Sequence, residues 1–595
     1  MPVVVTFTAI WTWSLAALAC ILLLSGLDDL APVAICAFHW LFRRGRKHVS
    51  TEQTALPERR IAIFVPCWKE SEVIGGMVRH NIARIRYRNF DFFLGVYPND
   101  NATCDAAMDV ACSFPHVHVA VCPKPGPTSK ADCLNAIYAG MTNYERVHNV
   151  YFDTIVLHDA EDVIHSDALG VINRERAHHA MVQVPVLPLP TAVREITHGI
   201  YCDEFSEFQV IDMRARMLSR SFVPSNGVGT GFSREVLEIL AAERGGLMFD
   251  PSSLTEDYDI GVQFHAAGYK QIFCSLTSGA RGIVATREFF PRKMRTAIRQ
   301  RTRWITGIAL QAWERHGWRG PFSTKYWFWR DRKGLLTNPL SLITNVLFFA
   351  GLIDWILSRT LHWPWIFGVP NTSVVKLCVL TTGLQVFRLL LRSLCVAQLF
   401  GLAMGATVTL RCFHANLVNC LATYGAIKNY IHSKLQRKTL HWDKTDHTYP
   451  VHGHHHDAHG PVLEDVLVSC GYLTQEKLEL VRAHLPADVE LTEFLLANQL
   501  LTEDELCRAM SLQSGFPWTQ VDVNKVKRDV VRSVPIALAK ECNVIPFRVE
   551  AGRLHVAASR VPQPHVIQTL SRYTRLPVQL QLVTSINYSQ LQDLL

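Results

Sequence analysis

The sequence predicts an α/β fold for a central domain, together with transmembrane helices and a small C-terminal α+β domain. Short apolar runs alternate with helix-like segments in the first half of the chain, several apolar stretches are long enough to cross a bilayer, and a leucine pattern repeats near the end. The expected units are an N-terminal transmembrane and interfacial segment, the α/β domain, further transmembrane and interfacial helices, a linker and the small domain, at residues 1–58, 59–333, 334–433, 434–460 and 461–595.

The first expected span, residues 10–27, carries no charged residue. A cleaved signal peptide fits less well, because no basic residue precedes the run and no clear small-residue cleavage site follows it. The basic cluster at 43–47 comes after the span, so the positive-inside rule predicts an outside N-terminus and a cytosolic central domain. Asp28, Asp29 and the stretch to Phe42 are expected along the interface.

The α/β domain is predicted from four apolar runs, at residues 61–65, 92–96, 117–121 and 154–157, which alternate with helix-like segments. This alternation favours a largely parallel sheet. Ligands bind such open sheets at the carboxyl ends of the strands, so polar residues directly after these runs are candidates for a site.

The composition fits soluble domains joined by a few spans, since 49% of the 595 residues are hydrophobic, 19% are charged and the mean hydropathy is +0.10. A net charge of +8 suits work beside anionic headgroups or on phosphorylated substrates. It is too diffuse to indicate nucleic-acid binding. The 16 cysteines show no paired CxxC, which predicts reduced thiols rather than a disulfide framework or a zinc site.

The membrane part after the α/β domain contains a second expected span at residues 340–357 and a long apolar stretch at 374–410 that has room for one span or two. Residues 411–430 are expected to lie along the interface. If the central domain and the C-terminal domain both face the cytosol, an even number of spans separates them, which favours one span in 374–410 and three in all. The linker contains His454 to His456, a run that can bind metal but is more often simply solvated.

The C-terminal domain opens with an internal repeat. Leu463, Leu467, Leu473, Thr474 and Leu478 recur 28 residues later as Leu491, Leu495, Leu501, Thr502 and Leu506. Each copy predicts a helix, a tight turn and a second helix capped by the threonine. A β/α pattern follows the second copy.

Polar residues that could bind a ligand or take part in a reaction follow each of the predicted strands. They are Glu70 after the first run, Asp100 after the second, Lys130 and Asn135 after the third, and Asp159 and Glu161 after the fourth. Carboxylates two residues apart at a strand end can both face one hard cation, which can in turn hold a diphosphate. An isolated Asp-x-Glu is more often a solvated turn, so the position after a buried strand matters.

Two further motifs lie downstream. Glu256 and Asp257 offer a carboxylate that can take a proton from a hydroxyl nucleophile. Gln300, Arg301, Arg303 and Trp304 offer groups that can hold a diphosphate and stack on a sugar ring. Taken singly, the first motif also suits a helix cap and the second an interfacial anchor.

The order of these motifs, namely Asp100, Asp159-Ala160-Glu161, Thr255-Glu256-Asp257 and Gln300-Arg301-Thr302-Arg303-Trp304, resembles the family-2 glycosyltransferases of membranes, which include cellulose, hyaluronan and poly-N-acetylglucosamine synthases. The segment Gly229-Thr230-Gly231-Phe232-Ser233-Arg234 is similar to that family's acceptor-side loop, and the resemblance covers about residues 59–316.

The resemblance implies a GT-A fold, a nucleotide-sugar donor, Mg²⁺ or Mn²⁺ as cofactor, and inverting transfer to a growing exopolysaccharide. It implies that Asp100 contacts the nucleotide, Asp159 and Glu161 bind the metal, Asp257 is the general base with Glu256 beside it, and Gln300, Arg303 and Trp304 hold the donor diphosphate and the acceptor. Many members have Asp where this chain has Glu161. Glu70, Lys130, Asn135 and Arg301 are expected to line the same substrate site.

The C-terminal domain resembles the N-terminal domain of type II secretion and type IV pilus ATPases, on its repeated leucine pattern. Such domains are cyclic di-GMP receptors in which Arg-Leu-Gly opens each repeat. Here the openings are Val462-Leu463-Glu464 and Glu490-Leu491-Thr492, without the arginine and the glycine. We therefore expect the fold to be retained and cyclic di-GMP binding to be weak or absent.

Three functions remain open from the sequence. The enzyme could extend an exopolysaccharide or add one sugar to a lipid carrier, in either case at the bacterial inner membrane and with an outer-membrane export partner as one option. A non-catalytic receptor or scaffold with a nucleotide-sensing tail belongs to another class. The intact acidic and Gln-x-x-Arg-Trp motifs favour the enzyme, because a retired site would be free to lose them.

Overall fold

A computed structural model of the chain describes all residues except 1, 44–56, 275–277, 280–281, 362–370, 437–462, 487–488, 515, 551–552, 563–564, 572 and 575. The basic cluster after Arg43 and nearly all of the expected linker, including His454 to His456, therefore lie outside the described residues.

The strands are numbered in chain order. They are β1 (Ile61–Pro66), β2 (Phe90–Val96), β3 (Val117–Val121), β4 (Thr154–Leu157), β5 (Met181–Gln183), β6 (Val186–Pro188), β7 (Thr230–Ser233), β8 (Gln271–Phe273), β9 (Ser278–Gly279), β10 (Gly282–Ile283), β11 (Thr286–Glu288), β12 (Ile545–Glu550), β13 (Arg553–Ala558) and β14 (Val578–Leu582).

The helices up to the second half of the chain are α1 (Pro2–Arg43), α2 (Ile74–Arg84), α3 (Asn101–Ser113), α4 (Lys130–His148), α5 (Ala168–Glu175), α6 (Ile196–Glu207), α7 (Met213–Leu218), α8 (Arg234–Ala242), α9 (Glu256–Ala266), α10 (Met294–Ile305), α11 (Ala312–His316) and α12 (Phe322–Arg332). They continue with α13 (Gly334–Thr360), α14 (Thr372–Phe400), α15 (Leu402–Ala406), α16 (Val408–Gln436), α17 (Leu463–Ser469), α18 (Gln475–His484), α19 (Leu491–Ala497), α20 (Glu503–Ser514), α21 (Arg528–Val531), α22 (Ile536–Glu541), α23 (His565–Leu570) and α24 (Ser585–Gln592). Short π-helical segments at Phe208–Asp212 and Thr306–Gln311 and a 3₁₀ turn at Val523–Lys525 complete the description.

The central domain is built on a seven-stranded sheet in the order β3-β2-β1-β4-β7-β5-β8. Strands β1 to β4 run parallel, as the four apolar runs predict, and β7 runs antiparallel to both of its neighbours. Both faces of β1 are buried: Ile61, Ile63 and Val65 pack on one side, and Ala62 and Phe64 on the other. A parallel sheet covered on both faces explains why its strands are continuous apolar runs rather than alternating ones.

Three helices are long and apolar enough to cross a membrane: Trp11–Phe42, Gly334–Thr360 and Thr372–Phe400. The stretch 374–410 contains a single helix of this kind, in agreement with the expected total of three, and α16 is not among the candidates. The first helix is longer than expected from the sequence, since α1 continues unbroken through Asp28 and Asp29.

The acidic pair in α1 is neutralised by basic residues from other helices. Arg330 and Lys333 contact both carboxylates, and Arg388 lies 2.7 Å from Asp29. These ion pairs join the first helix to α12, α14 and the junction before α13. They explain how the helix continues through two acidic residues.

The C-terminal domain contains the two predicted helical hairpins, α17–α18 and α19–α20. Thr474 and Thr502 cap the second helix of each hairpin, accepting hydrogen bonds from the backbone N–H groups of Lys477 and Glu505. The turn of each copy needs a left-handed residue, which is Gly471 in the first copy, with φ +71°, and Gln499 in the second, with φ +53°. A three-stranded sheet follows, in which β13 pairs antiparallel with β12 and parallel with β14.

All 16 cysteines are free in this structure. The first repeat of the C-terminal domain packs on the face of the central sheet that carries α2 and α3, and its Val466 and Leu467 share one apolar core with Met77 and Val163. The opposite face, which carries α4, α8 and α9, remains covered by the central domain itself.

Candidate active site

The carboxyl ends of the parallel strands bring Lys130 and Asp159 together. Lys130 is the first residue of α4, whose start is fixed by a capping box between Ser129 and Asp132. Its ammonium nitrogen lies 2.6 Å from Asp159 Oδ1, at the end of β4. Two of the residues singled out from the sequence, from different strand ends, therefore form one ion pair.

Glu256 and Asp257 join this pair from the first turn of α9. Gly227 packs between them and Lys130: a Cβ built on Gly227 would lie 2.5 Å from Asp257 Oδ2 and 3.5 Å from Lys130 Nζ. The backbone of Gly227 has φ +77°, a conformation that favours glycine. Because a side chain at this position would displace the Asp257 carboxylate, Gly227 is part of the site, although it was not among the residues predicted from the sequence.

The cluster contains more carboxylates than basic groups, so negative charge is in excess. Burial, followed by repulsion from Asp257, raises the pKa of Glu256 to about 7. Burial also raises the pKa of Asp257, although Lys130 opposes the shift. Burial alone would lower the pKa of Lys130, but attraction to Asp159, Glu256 and Asp257 holds it above its usual value.

The acidic turn after β4, which comprises residues 158–164, is held by buried polar groups. Asp162 accepts a hydrogen bond from the backbone N–H of Asp159 at 3.0 Å and lies 2.6 Å from His158 Nδ1. Asn81 of α2 donates to the carbonyl of Asp162 and accepts from the N–H of Ile164. The position of Asp159 is thus set by neighbours that the sequence analysis did not select.

A divalent cation suits the donor set in its chemistry. Asp159 is about one third exposed, Glu161 is buried on the same turn, and the charges of both raise the pKa of Asp162, after the larger effect of burial. Carboxylates that repel one another in this way are the ligands that Mg²⁺ and Mn²⁺ prefer. Among the described residues, no group of three His, Cys, Asp or Glu side chains already has the spacing of a complete protein site.

Three other selected residues hold loops at the same edge of the sheet. Asp100 caps α3 and accepts a 2.6 Å hydrogen bond from the backbone N–H of Lys69. Glu70 is buried, and its own N–H donates to Thr103. Asn135 exchanges two hydrogen bonds with the backbone of Phe249. The contacts observed for these side chains and backbones order the rim of the site.

Helix α10 divides its four selected residues between two directions. Arg303 lies close enough to oppose the rise in the pKa values of Glu256 and Asp257, which burial causes. Gln300 Oε1 is buried without a hydrogen-bond partner among the described residues. Arg301 instead pairs with Glu204 at 2.6 Å and stacks on Tyr201.

Trp304 packs near Tyr201, Phe205 and Phe290, beside the Arg301 contact. The structure therefore brings Arg303 toward the carboxylate cluster, and Arg301 and Trp304 toward α6.

Aromatic and amide groups missed in the sequence form the wall near β1 and β2. Trp68 and Tyr97 meet edge to face with ring centroids 5.1 Å apart. Gly126 packs against Trp68, and Asn99 forms hydrogen bonds to both the N–H and the carbonyl of Gly126. The sequence did contain a signal for this wall, because an aromatic residue follows each of the neighbouring strands β1 and β2.

Residues 57–307 match the family described as "Glycosyltransferase like family 2", and residues 514–595 match the MshEN domain. The α/β domain is thus that of a family-2 glycosyltransferase with the GT-A fold, joined to an MshEN domain.

The chain belongs to the family of bacteriophage adsorption protein B. It is 33% identical to the Escherichia coli protein of that name over 585 residues, which cover 93% of this chain and 78% of that protein, and equally similar to the bacteriophage N4 adsorption protein B of a second Escherichia coli strain.

Among solved structures, a mannosyltransferase from Pyrobaculum calidifontis in complex with GDP-mannose and Mn²⁺ is similar over 71% of this chain and 99% of its own, with 16% identity and a TM-score of 0.42. MshE with bound cyclic di-GMP is similar over 22% of this chain and 94% of its own, with 21% identity and a TM-score of 0.19.

Proposed function

We propose that this glycosyltransferase moves a sugar from a nucleotide-sugar donor to a growing exopolysaccharide, by inverting and metal-assisted transfer at the bacterial inner membrane. The observation that carries the proposal is the cluster of Lys130, Asp159, Glu256 and Asp257 at the carboxyl edge of the sheet. It supplies what the reaction needs in one place: a base for the acceptor and positive charge for the leaving group.

Asp257 is the proposed general base. The acceptor hydroxyl oxygen bonds to the anomeric carbon from the face opposite the diphosphate, the bond from that carbon to the diphosphate oxygen breaks, and the hydroxyl proton passes to Asp257. The raised pKa of Asp257 lies closer to neutral pH than that of an ordinary aspartate, which makes the carboxylate a better proton acceptor. Lys130 and Arg303 are placed to stabilise the charge of the departing diphosphate.

Asp159 and Glu161 are the residues that would hold Mg²⁺ or Mn²⁺. The cation, when bound, supplies neutralisation of diphosphate charge. Gln300, with an unpaired buried oxygen among the described residues, would contact the substrate. Glu70, Asp100 and Asn135 would act by ordering the loops around the donor, and Arg301 and Trp304 by fixing α10 against α6.

The acceptor distinguishes the main proposal from its rival. A lipid carrier that receives a single sugar is favoured by one observation: the described part of the chain has three candidate spans, few for a polymer channel formed by one chain. Membranes supplied with labelled donor should yield a product that grows with time and whose new linkage has the anomeric configuration opposite to the donor. A product that stays at one added sugar and extracts with lipid favours the rival.

The proposed topology places the catalytic and C-terminal domains in the cytosol. After the catalytic domain, Gly334–Thr360 would carry the chain out across the membrane, and Thr372–Phe400 would bring it back to the side of the catalytic domain. Alkaline phosphatase fused after Leu595 should then be inactive, since it needs the periplasm. Strong activity would contradict the topology.

For the C-terminal domain we propose weak or absent cyclic di-GMP binding. In the second repeat, Glu490 stands at the opening where the resemblance leads us to expect an arginine, and Glu490 and Glu493 both pair with Arg560. Calorimetry on the purified full chain decides the matter, and a submicromolar dissociation constant would contradict it. The Escherichia coli relative is named for bacteriophage adsorption, and an outer-membrane export partner would likewise connect this enzyme to the cell surface.

A further inference from the structure

The C-terminal domain contacts the catalytic domain through the turn between α17 and α18. Arg84, the last residue of α2, donates a 2.5 Å hydrogen bond to the carbonyl of Cys470. Its guanidinium carbon lies 3.6 Å from the centre of the Tyr472 ring. Both side chains are almost completely buried, so the contact exists only while the two domains are docked.

The same helix holds the acidic turn of the active site. Asn81, which is fully buried, donates to the carbonyl of Asp162 at 2.8 Å and accepts from the N–H of Ile164 at 2.9 Å. Asn81 and Arg84 are three residues apart and therefore lie on neighbouring positions of one helix face. A shift of α2 at Arg84 moves the two hydrogen bonds that Asn81 makes.

A second connection reaches the same turn from the other side. The N–H and carbonyl of Val163 pair with the carbonyl and N–H of Arg287 in β11, at 2.8 and 3.0 Å. The buried side chain of Arg287 is within electrostatic range of Cys470. The docked turn thus borders both elements that hold residues 162–164.

The acidic turn also fixes the position of Asp159. Asp162 accepts from the backbone N–H of Asp159 and donates its own N–H to the Asp159 carbonyl. A displacement at residues 162–164 therefore reaches the carboxylate that pairs with Lys130.

The contact between the two domains, at which Arg84 and Arg287 border the turn between α17 and α18, is called the seam below. Its buried positive charges are poorly compensated by negative ones. Among the described residues, neither Arg84 nor Arg287 forms an ion pair with a carboxylate, although both are buried. A buried guanidinium without a carboxylate partner is costly, so stacking and a carbonyl hydrogen bond oppose a substantial desolvation penalty. Docking of this kind is weaker than its buried area alone would indicate.

We propose that Arg84 and Asn81 are positioning residues, and that the docked C-terminal domain braces the acidic turn through them. The effect on catalysis rests on the proposed role of Asp159 in holding the metal and donor; the brace itself does not. When the seam opens, the acidic turn loosens and donor affinity falls, while the groups that perform the chemistry remain.

Hydrogen–deuterium exchange of the metal-free full chain in detergent tests the brace directly. Tyr472→Leu removes the ring beneath Arg84, and amides in residues 158–164 should exchange about three- to tenfold faster. Tyr472→Phe is the matched control, because it keeps the ring and removes a hydroxyl that has no hydrogen-bond partner among the described residues. It should exchange as the wild type does.

Unchanged exchange in Tyr472→Leu, or equal acceleration in both variants, would overturn the proposal. If Tyr472→Leu does not accumulate, Arg84→Lys tests the same contact, because lysine keeps the charge but not the planar stack. Faster exchange in Arg84→Lys supports the brace, and wild-type exchange overturns it.

A double-mutant cycle on transfer kinetics tests the route through α2. Tyr472→Leu and Asn81→Ala should each raise the KM for the donor about three- to tenfold with kcat nearly unchanged, and the double variant should be little worse than Asn81→Ala alone. Independent, multiplicative effects would exclude the route. A wild-type chain that transfers no sugar would refute the proposed function, whereas the exchange experiment would still decide the brace.

Discussion

Two clusters of charged side chains in this enzyme differ in their balance. At the junction of α1 with α12 and α14, the carboxylates of Asp28 and Asp29 meet Arg330, Lys333 and Arg388, and each of these two carboxylates has a basic partner within 3.3 Å. At the carboxyl edge of the sheet, Asp159, Glu256 and Asp257 surround one ammonium group, that of Lys130.

We propose that the difference separates charges that hold structure from charges that bind a substrate. The balanced cluster joins helices and leaves no need for a ligand. In the acidic cluster, Glu256 and Asp257 have raised pKa values, and perturbed pKa values of this kind are frequent at functional sites. If this distinction is correct, substitutions in the first cluster should affect stability and those in the second should affect the reaction.

The largest effect is expected for Asp257→Asn. A base that takes a proton in the transition state contributes little to ground-state binding, so kcat should fall by about 10²- to 10⁴-fold with donor affinity largely kept. Steady-state transfer and equilibrium donor binding measure the two quantities separately. Wild-type turnover in this variant would exclude Asp257 as the base.

Asp159→Ala should weaken metal-dependent donor binding, because it removes a carboxylate from the proposed cation site. Titration of a nucleotide sugar with and without Mn²⁺ measures the effect as the loss of the metal-dependent part of the affinity. The exposed Asp105 on α3 provides the control, and Asp105→Ala should bind as the wild type does. Donor affinity in Asp159→Ala that still responds fully to metal would be incompatible with the assignment.

The pH dependence of metal affinity sharpens the comparison further. Glu256 has a pKa raised to about 7, so it loses its proton and adds a negative charge as the pH rises through that value. Apparent Mn²⁺ affinity should therefore increase about three- to tenfold between pH 6 and pH 8. The increase should largely vanish in Glu256→Gln, and a variant that retains it would show that another group titrates.

The smallest effect on the reaction is expected in the balanced cluster. Arg330→Met leaves buried Asp29 and its neighbours less well compensated, at a cost of about 3–5 kcal/mol for a broken buried pair. The midpoint of thermal inactivation should fall while kcat below that temperature stays within about twofold of the wild type. Arg319→Met, at an exposed arginine shortly before α12, should change neither. A large loss of kcat without loss of stability would remove the distinction between the clusters.

The sequence predicted the elements whose signals are local. The four parallel strands appear as apolar runs, and both threonine-capped hairpins appear in the repeat. The convergence of Lys130 with Asp159 followed from the rule that strand ends of a parallel sheet meet at one edge.

Contacts between residues that are far apart in the sequence could not be predicted from local patterns. Arg301 and Arg303 are two residues apart on α10, hence about 160° apart around the helix, so they cannot both face the carboxylates. Helical periodicity alone could have separated them. That Arg301 meets Glu204 and Asn419, however, depends on how α6 and α16 pack against α10, which no local pattern encodes.

Gly227 and Asn81 were missed for a similar reason. A glycine and a buried asparagine carry no chemical signature until the neighbours that they position, Asp257 and Asp162, are known.

The most direct test of the account is sugar transfer by the full chain in membranes, supplied with a panel of radiolabelled nucleotide sugars after removal of divalent metal by EDTA and again after addition of Mn²⁺ or Mg²⁺. Wild-type chain should transfer label from one donor only when metal is restored, and Asp257→Asn membranes should transfer at most about a hundredth as much. Transfer that is equal with and without metal, or equal in wild type and Asp257→Asn, would contradict the proposal that the acidic cluster is the reaction centre.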